Sequence, residues 1–171
     1  MARETPALSI QPLEPADLPS AVDLQRRTYP PFLVEEEAIF RNRIDMAAGY
    51  CLAAWQDGAL VGYLLAHGWQ RQSPPPLGAL LTDAAGNDVL FIHDLAVSPT
   101  QRGQRIGQQL IARAFDRAVR DGLRRAELIA VEGAAEYWRG LGFAEEAGSD
   151  ALAEKLRPYG AQARWMTRAI P

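Results

Sequence analysis

The chain has 171 residues, 48% of them apolar and 23% charged, with a formal net charge of −3 and a single cysteine. That length suits one domain with a full core, expected over residues 1–171 with 1–6 as a flexible tail, and the balance is globular rather than disordered. A mildly acidic chain lacks the basic face that nucleic acid or an anionic membrane surface requires, and no apolar run is long enough to span a bilayer. One cysteine permits no internal disulfide, and the opening Met-Ala-Arg-Glu-Thr-Pro carries no apolar leader segment, so a reducing, cytoplasmic setting is expected.

Leu8–Leu13 reads as a short strand. A helix follows from about Pro15 to Thr28, with Leu18, Ala21, Val22 and Leu24 on one face. Two prolines in Tyr29-Pro-Pro-Phe-Leu stop it. This apolar loop is suited either to contact a ligand or to pack as a lid. A second helix is expected over Glu35–Ala47, with Glu35, Glu36 and Glu37 at its positive end. Tyr50–Gln56 and Ala59–His67, joined through Asp57-Gly58, predict a hairpin. Cys51 falls in the first of these runs and reads as a small core residue. Gln70–Asp88, with Ser-Pro-Pro-Pro and two glycines, is a loop long enough to suggest a functional role. Val89–Val97 is apolar on both faces, as a covered central strand requires. A helix is expected over 103–121, then a strand over Arg125–Val131, a short helix over Ala134–Arg139, a strand after Gly142, and a closing strand over Ala161–Ile170. Trp55, Trp69 and Trp165 read as sheet packing. The order implies an α/β fold with a mixed sheet.

The most informative stretch is the passage from the central strand into the next helix. Ser98-Pro99 ends the strand, a loop rich in Gly and Arg follows, and Ile106, Leu110, Ala114 and Ala118 recur four apart. A helix start of this kind presents unpaired N–H groups and the positive end of the peptide dipoles, a ready site for phosphate. Arg102 and Arg105 add charge there, while Gly103 and Gly107 let a ligand approach the backbone.

This stretch resembles motif A of the Gcn5-related N-acetyltransferases, whose pattern Gln/Arg-x-x-Gly-x-Gly/Ala falls on Arg102-Gly103-Gln104-Arg105-Ile106-Gly107. Arg105 stands where the family has its middle glycine. The element order is also the family's. Ala135-Glu-Tyr-Trp-Arg-Gly-Leu-Gly-Phe143 is similar to the family's Tyr-x-x-x-Gly-Phe segment, and Phe91-Ile-His93-Asp-Leu-Ala-Val97 is similar to the His-x-His-x-Leu-Ala-Val strand of the arylalkylamine N-acetyltransferases. The resemblance implies a mixed, mostly antiparallel sheet with splayed central strands, flanked by about four helices. It also implies direct acetyl transfer from acetyl-CoA, without a metal, to a primary amine of a small molecule. The pantetheine arm would pair with the backbone of Leu95, Ala96 and Val97, with an N–H of Val97 or Ala96 serving the oxyanion. The pyrophosphate would lie over Arg102, Gly103, Gln104, Arg105, Ile106, Gly107 and Gln108.

His93 is the candidate base, because an imidazole titrates near neutrality, or else a core histidine bonded inside its strand. Asp94 would point to the opposite face of a regular strand and serve as a structural acceptor. Tyr137 is the candidate acid toward the leaving sulfur, although the family register falls on Trp138. A peptide amine as acceptor, or a CoA-binding module without turnover, are the competing readings, and the sequence leaves room for a homodimer.

Overall fold

The computed structural model describes residues 7–46, 50–82, 87–101 and 104–171. Seven strands form one sheet: β1 (Ser9–Pro12), β2 (Leu52–Gln56), β3 (Ala59–Trp69), β4 (Val89–Val97), β5 (Arg125–Ala130), β6 (Ala144–Glu145) and β7 (Arg164–Ala169). Their spatial order is β1-β2-β3-β4-β5-β7-β6, antiparallel throughout except for the parallel pair β4–β5. The helices are α1 (Leu18–Thr28), α2 (Glu37–Met46), α3 (Ile106–Arg120), α4 (Ala135–Gly140) and α5 (Asp150–Leu156). This is the mixed α/β architecture the element order implied, with one helix more: α5 fills the connection to β7, where its Ser149 cap accepts from the Leu152 N–H.

The two faces of the sheet carry separate cores. On one, Ile106, Leu110, Ala114 and Ala118 of α3 pack with Leu64, Leu90, Ile92, Leu128 and Met166 of the strands, and Trp138 of α4 joins them. On the other, Leu18, Ala21, Val22 and Leu24 of α1 and Phe40 of α2 cover Cys51, Ala53, Tyr63 and Leu65. A strand sandwiched this way must be apolar on both sides, which is why β4 reads as a continuous apolar run. Cys51 is buried with its thiol pushed up to about 12 by burial, as a core residue should be. Trp165 is buried, and Trp55 and Trp69 are partly buried against core clusters.

Local chemistry fixes the elements near the cleft. Asp57 and Gly58 both have positive φ (52° and 74°), the conformation a two-residue hairpin turn needs. α2 begins at Glu37 rather than Glu35, because Pro31–Leu33 form a single 3-10 turn bounded by extended Pro30 and Val34, and the Gln25 side chain captures the Glu35 backbone instead. α3 begins at Ile106, so Gln104 and Arg105 precede the helix. Arg105 is its N-cap and sits in the left-handed region at φ 56°. Glycine adopts that conformation without cost, so a glycine-type position is here filled by an arginine at a strain of about 1–2 kcal/mol.

Two departures from regular pairing open the cleft. β4 and β5 pair only through Leu90–Ile92 against Ala126–Leu128, after which they part. On the other side of β4, Leu65 pairs with Asp94 but Ala66 pairs with Ile92, so His93 is an extra residue: a bulge. The bulge removes the alternation that would put Asp94 on the far face, and His93 and Asp94 both line the cleft.

Candidate active site

The cleft between the parted strands has a volume of about 730 Å³. Its walls come from β4 and β5, from the first turn of α3, from α4, and from the loop joining α1 and α2.

At one end, Gln101, Arg105, Ile106, Gly107 and Gln108 line the cleft. The N-cap residue Arg105 supplies no side-chain cap to α3, and the first-turn N–H groups have no partner within the helix. Gln104 is exposed, bonded to the Gln101 and Gln56 side chains. Arg102 and Gly103 lie outside the described residues. Gly107 is buried, and a methyl group added there would fall on the Tyr137 hydroxyl. Tyr137 therefore stands over the start of α3. Its neighbour Trp138 turns into the core, edge-on to Phe143 at 5.3 Å between ring centroids. A helix rotates successive side chains by about 100°, so the one-residue slip from the family pattern sets the tyrosine over the start of α3 while the tryptophan packs in the core and touches the cleft from there.

Along β4 the backbone decides what can bind. The Ser98 N–H bonds the Val61 carbonyl on β3. Strand alternation then turns the Ala96 amide toward β3 as well, and the Leu95 and Val97 amides toward the open edge facing β5. The Ala96 backbone thus faces β3, with which it pairs at Tyr63, rather than the open edge. The Leu95 carbonyl on that edge accepts from the Tyr29 hydroxyl at 2.8 Å.

At the middle of the cleft, His93 Nε2 lies 2.6 Å from Glu35 Oε1, and both side chains are almost fully buried. An ionised carboxylate can only accept, so the proton between them sits on Nε2, and when the ring is neutral its lone pair is on Nδ1. The other Glu35 oxygen accepts from the Gly78 N–H at 3.0 Å. Burial works to raise the Glu35 pKa, yet the His93 hydrogen bond, the charges of His93 and Arg43 and the Gly78 N–H hold it below the usual carboxylate range. In the sequence Glu35 is one of three acids at an expected helix start, which either attract an amine or are simply favoured by the helix dipole. Its partner lies 58 residues away in the chain, and no local pattern announces such a pair.

Asp94, next to the bulge, accepts from the Tyr63 hydroxyl at 2.6 Å. Burial pushes its pKa up to about 6, and the tyrosine hydrogen bonds oppose that rise. Burial and the nearby Asp94 charge raise the Tyr29 hydroxyl well above the ordinary range. Tyr137 is raised by burial too.

The long segment before β4 closes the far end. The Tyr159 hydroxyl donates to the Pro75 carbonyl, the Gly78 N–H to Glu35, Arg43 to the Ala79 carbonyl, and the Asn42 amide to the Leu81 carbonyl. Arg43 is fully buried, and its Nε and second Nη have no partner among the described residues. Leu33, Leu77 and Tyr159 form the apolar wall there.

Residues 18–143 match the family model described as Acetyltransferase (GNAT) family. No curated protein matches the chain significantly. Among solved structures the chain is similar to Ard1 from Thermoplasma volcanium (14% identity, TM-score 0.71, covering 96% of this chain and 99% of that one). It is also similar to the loading GNATL domain of CurA from Lyngbya majuscula (10% identity, TM-score 0.77, 96% and 98%). A third likeness is to the ribosomal-protein-S18-alanine N-acetyltransferase from Escherichia coli (18% identity, TM-score 0.66, 96% and 94%). These identities speak for the fold, and the match over residues 18–143 for the family: the chain belongs to the acetyltransferase (GNAT) family.

Proposed function

We propose that this protein transfers an acetyl group from acetyl-CoA to a primary amine of a small molecule, by direct attack with both substrates bound. The observation that carries the reading is the buried His93–Glu35 pair, set beside the open edge of β4 and in the same cleft as the uncapped start of α3.

The residues fit the cosubstrate. The free N–H groups of Ile106, Gly107 and Gln108 and the Arg105 guanidinium suit a pyrophosphate. The Leu95 N–H and the Val97 backbone on the open edge are available to an amide-bearing arm, while the Leu95 carbonyl already accepts from Tyr29. His93 Nδ1 takes the proton from the attacking ammonium, and Glu35 orients the ring and stabilises the imidazolium that results. The Val97 N–H stabilises charge developing on the thioester oxygen. The Tyr137 hydroxyl, its proton retained by burial, supplies a proton to the departing thiolate. Nothing in this scheme needs a metal.

A small acceptor, rather than a peptide terminus, is supported by the closed far end. The segment 75–81 is tied across it by four side chains, and the Phe32 ring reaches within 3.4 Å of the point where a Cβ on Gly160 would stand, so the two flanking loops meet. The likeness of β4 to arylalkylamine enzymes supports an amine on a short apolar stem. The test is release of free thiol from acetyl-CoA across a panel of amines, with His93→Ala alongside. The variant should lose about 100-fold or more in kcat, the usual scale for a lost general base. Nearly unchanged turnover would remove His93 from the mechanism. Binding of acetyl-CoA with no transfer to any amine would favour a binding module instead.

A further inference from the structure

One carboxylate on the cleft wall is unused by this chemistry. Glu132, just beyond β5, lines the cleft, and among the described residues it has neither an ion-pair nor a hydrogen-bond partner. Its Oε1 lies 3.5 Å from the position a Cβ on Gly160 would occupy, and the Phe32 ring lies 3.4 Å from the same point. Phe32 is 52% exposed. A carboxylate with no partner among the described residues and an exposed aromatic ring therefore stand near one another where the α1–α2 loop meets the loop before β7. The same cleft carries one apolar cluster of Leu33, Leu77, Ile129 and Tyr159, and Glu35 and His93 line the cleft as well.

We propose that Glu132 and Phe32 form a subsite for a second cationic group on the acceptor, so that the preferred substrate is an α,ω-diamine or a longer amine of that kind. This rests on the reading that His93 deprotonates the acceptor amine. The far ammonium pairs with Glu132 and lies against the Phe32 ring, a carboxylate and a quadrupole acting on one cation. The methylene chain crosses the apolar wall, and the near amine reaches His93. β4 and β5 leave register at Ile92–Leu128; His93 is the next residue of β4, whereas β5 runs on to Ala130 and Glu132 stands in the turn beyond it, so the two groups lie across the parted strands from each other. A chain of several methylenes is needed to bridge them. The two ends differ in protonation state: the near nitrogen must lose its proton to attack, while the far nitrogen keeps its own.

The experiment compares α,ω-diamines, lengthened one methylene at a time, with n-alkyl monoamines of the same lengths, in the parent and in Glu132→Gln. The parent should prefer the best diamine over its matched monoamine by about tenfold or more in kcat/KM. Glu132→Gln should abolish that preference by raising KM for the diamine, with kcat and the monoamine values unchanged. Phe32→Leu should remove part of the preference. Equal use of diamines and monoamines by the parent would overturn the subsite, as would equal effects of Glu132→Gln on both series. If the parent acetylates no amine, the transfer reading falls. The subsite is then decided by calorimetric titration of the same diamines into parent and variant: weaker binding to Glu132→Gln supports it, and equal binding overturns it.

Discussion

Replacing Gly107 by alanine separates the role of Tyr137 from the stability of the fold. Gly107 is the second residue of α3 and is buried. A methyl group there would meet Leu95 Cδ2 at 3.4 Å, an ordinary contact, but it would also fall on the Tyr137 hydroxyl, which must then leave. The hydroxyl is the far end of a side chain 48% exposed, so swinging it outward disturbs little packing. Alanine is favoured over glycine within a helix by about 0.5–1 kcal/mol, and by less in the first turn. These effects offset each other, and the melting temperature should move by no more than roughly 2–4 °C. Activity should behave differently. If the hydroxyl protonates the leaving thiolate, its displacement lowers kcat by about 100-fold. Tyr137→Phe should show a similar loss, and the double variant should lose little more, since both changes remove one interaction. The assay is thiol release with saturating acetyl-CoA, beside a thermal melt and calorimetric titration of CoA. Full kcat in Gly107→Ala would refute the role given to Tyr137. A loss confined to CoA affinity would instead assign Gly107 to close approach of the phosphate.

Arg105→Ala should weaken acetyl-CoA binding by about tenfold, since a charged hydrogen bond contributes roughly 1.5–3 kcal/mol; unaltered affinity by calorimetry would leave phosphate to the backbone alone. His67 is fully buried, and burial pushes its pKa down to about 3, so the folded state binds its proton far less readily than the unfolded state does. Its neutral form contributes stability that is lost as pH falls below the unfolded value of about 6.5, which amounts to about 2 kcal/mol by pH 5; His67→Phe should flatten that loss in denaturant titrations, and an unchanged pH slope would contradict it. For Asp94 the sign reverses: its folded pKa of about 6 exceeds the unfolded value of about 3.9, so its contribution is fully present below the latter and is lost as pH rises to about 6. Asp94→Asn should remove this decline, again by denaturant titration. Arg43→Ala should destabilise by about 1–3 kcal/mol, because it leaves the Ala79 carbonyl unpaired and removes one of the charges that hold Glu35 ionised; a loss well under about 1 kcal/mol would show that the unpaired guanidinium offsets what it contributes.

What the sequence determined by itself is local. Apolar residues four apart wrote α3, the Asp57-Gly58 pair wrote the hairpin turn, and a run apolar on both faces wrote β4, because each pattern follows from the geometry of neighbouring residues. The strand-to-helix passage at 98–106 was legible for the same reason, and with it the resemblance that pointed to the family. The tertiary structure decided the rest. The bulge at His93 depends on how β4 pairs with β3, and it alone brings Asp94 onto the cleft. Glu35 looked like an acid at a helix start, and only packing of the α1–α2 loop against β4 makes it the partner of His93. Which of Tyr137 and Trp138 stands over Gly107 was set by the rotation of α4, and which backbone groups of β4 face the open edge by strand parity. A contact between residues far apart in the chain leaves no periodic trace, because it is set by the packing of whole elements.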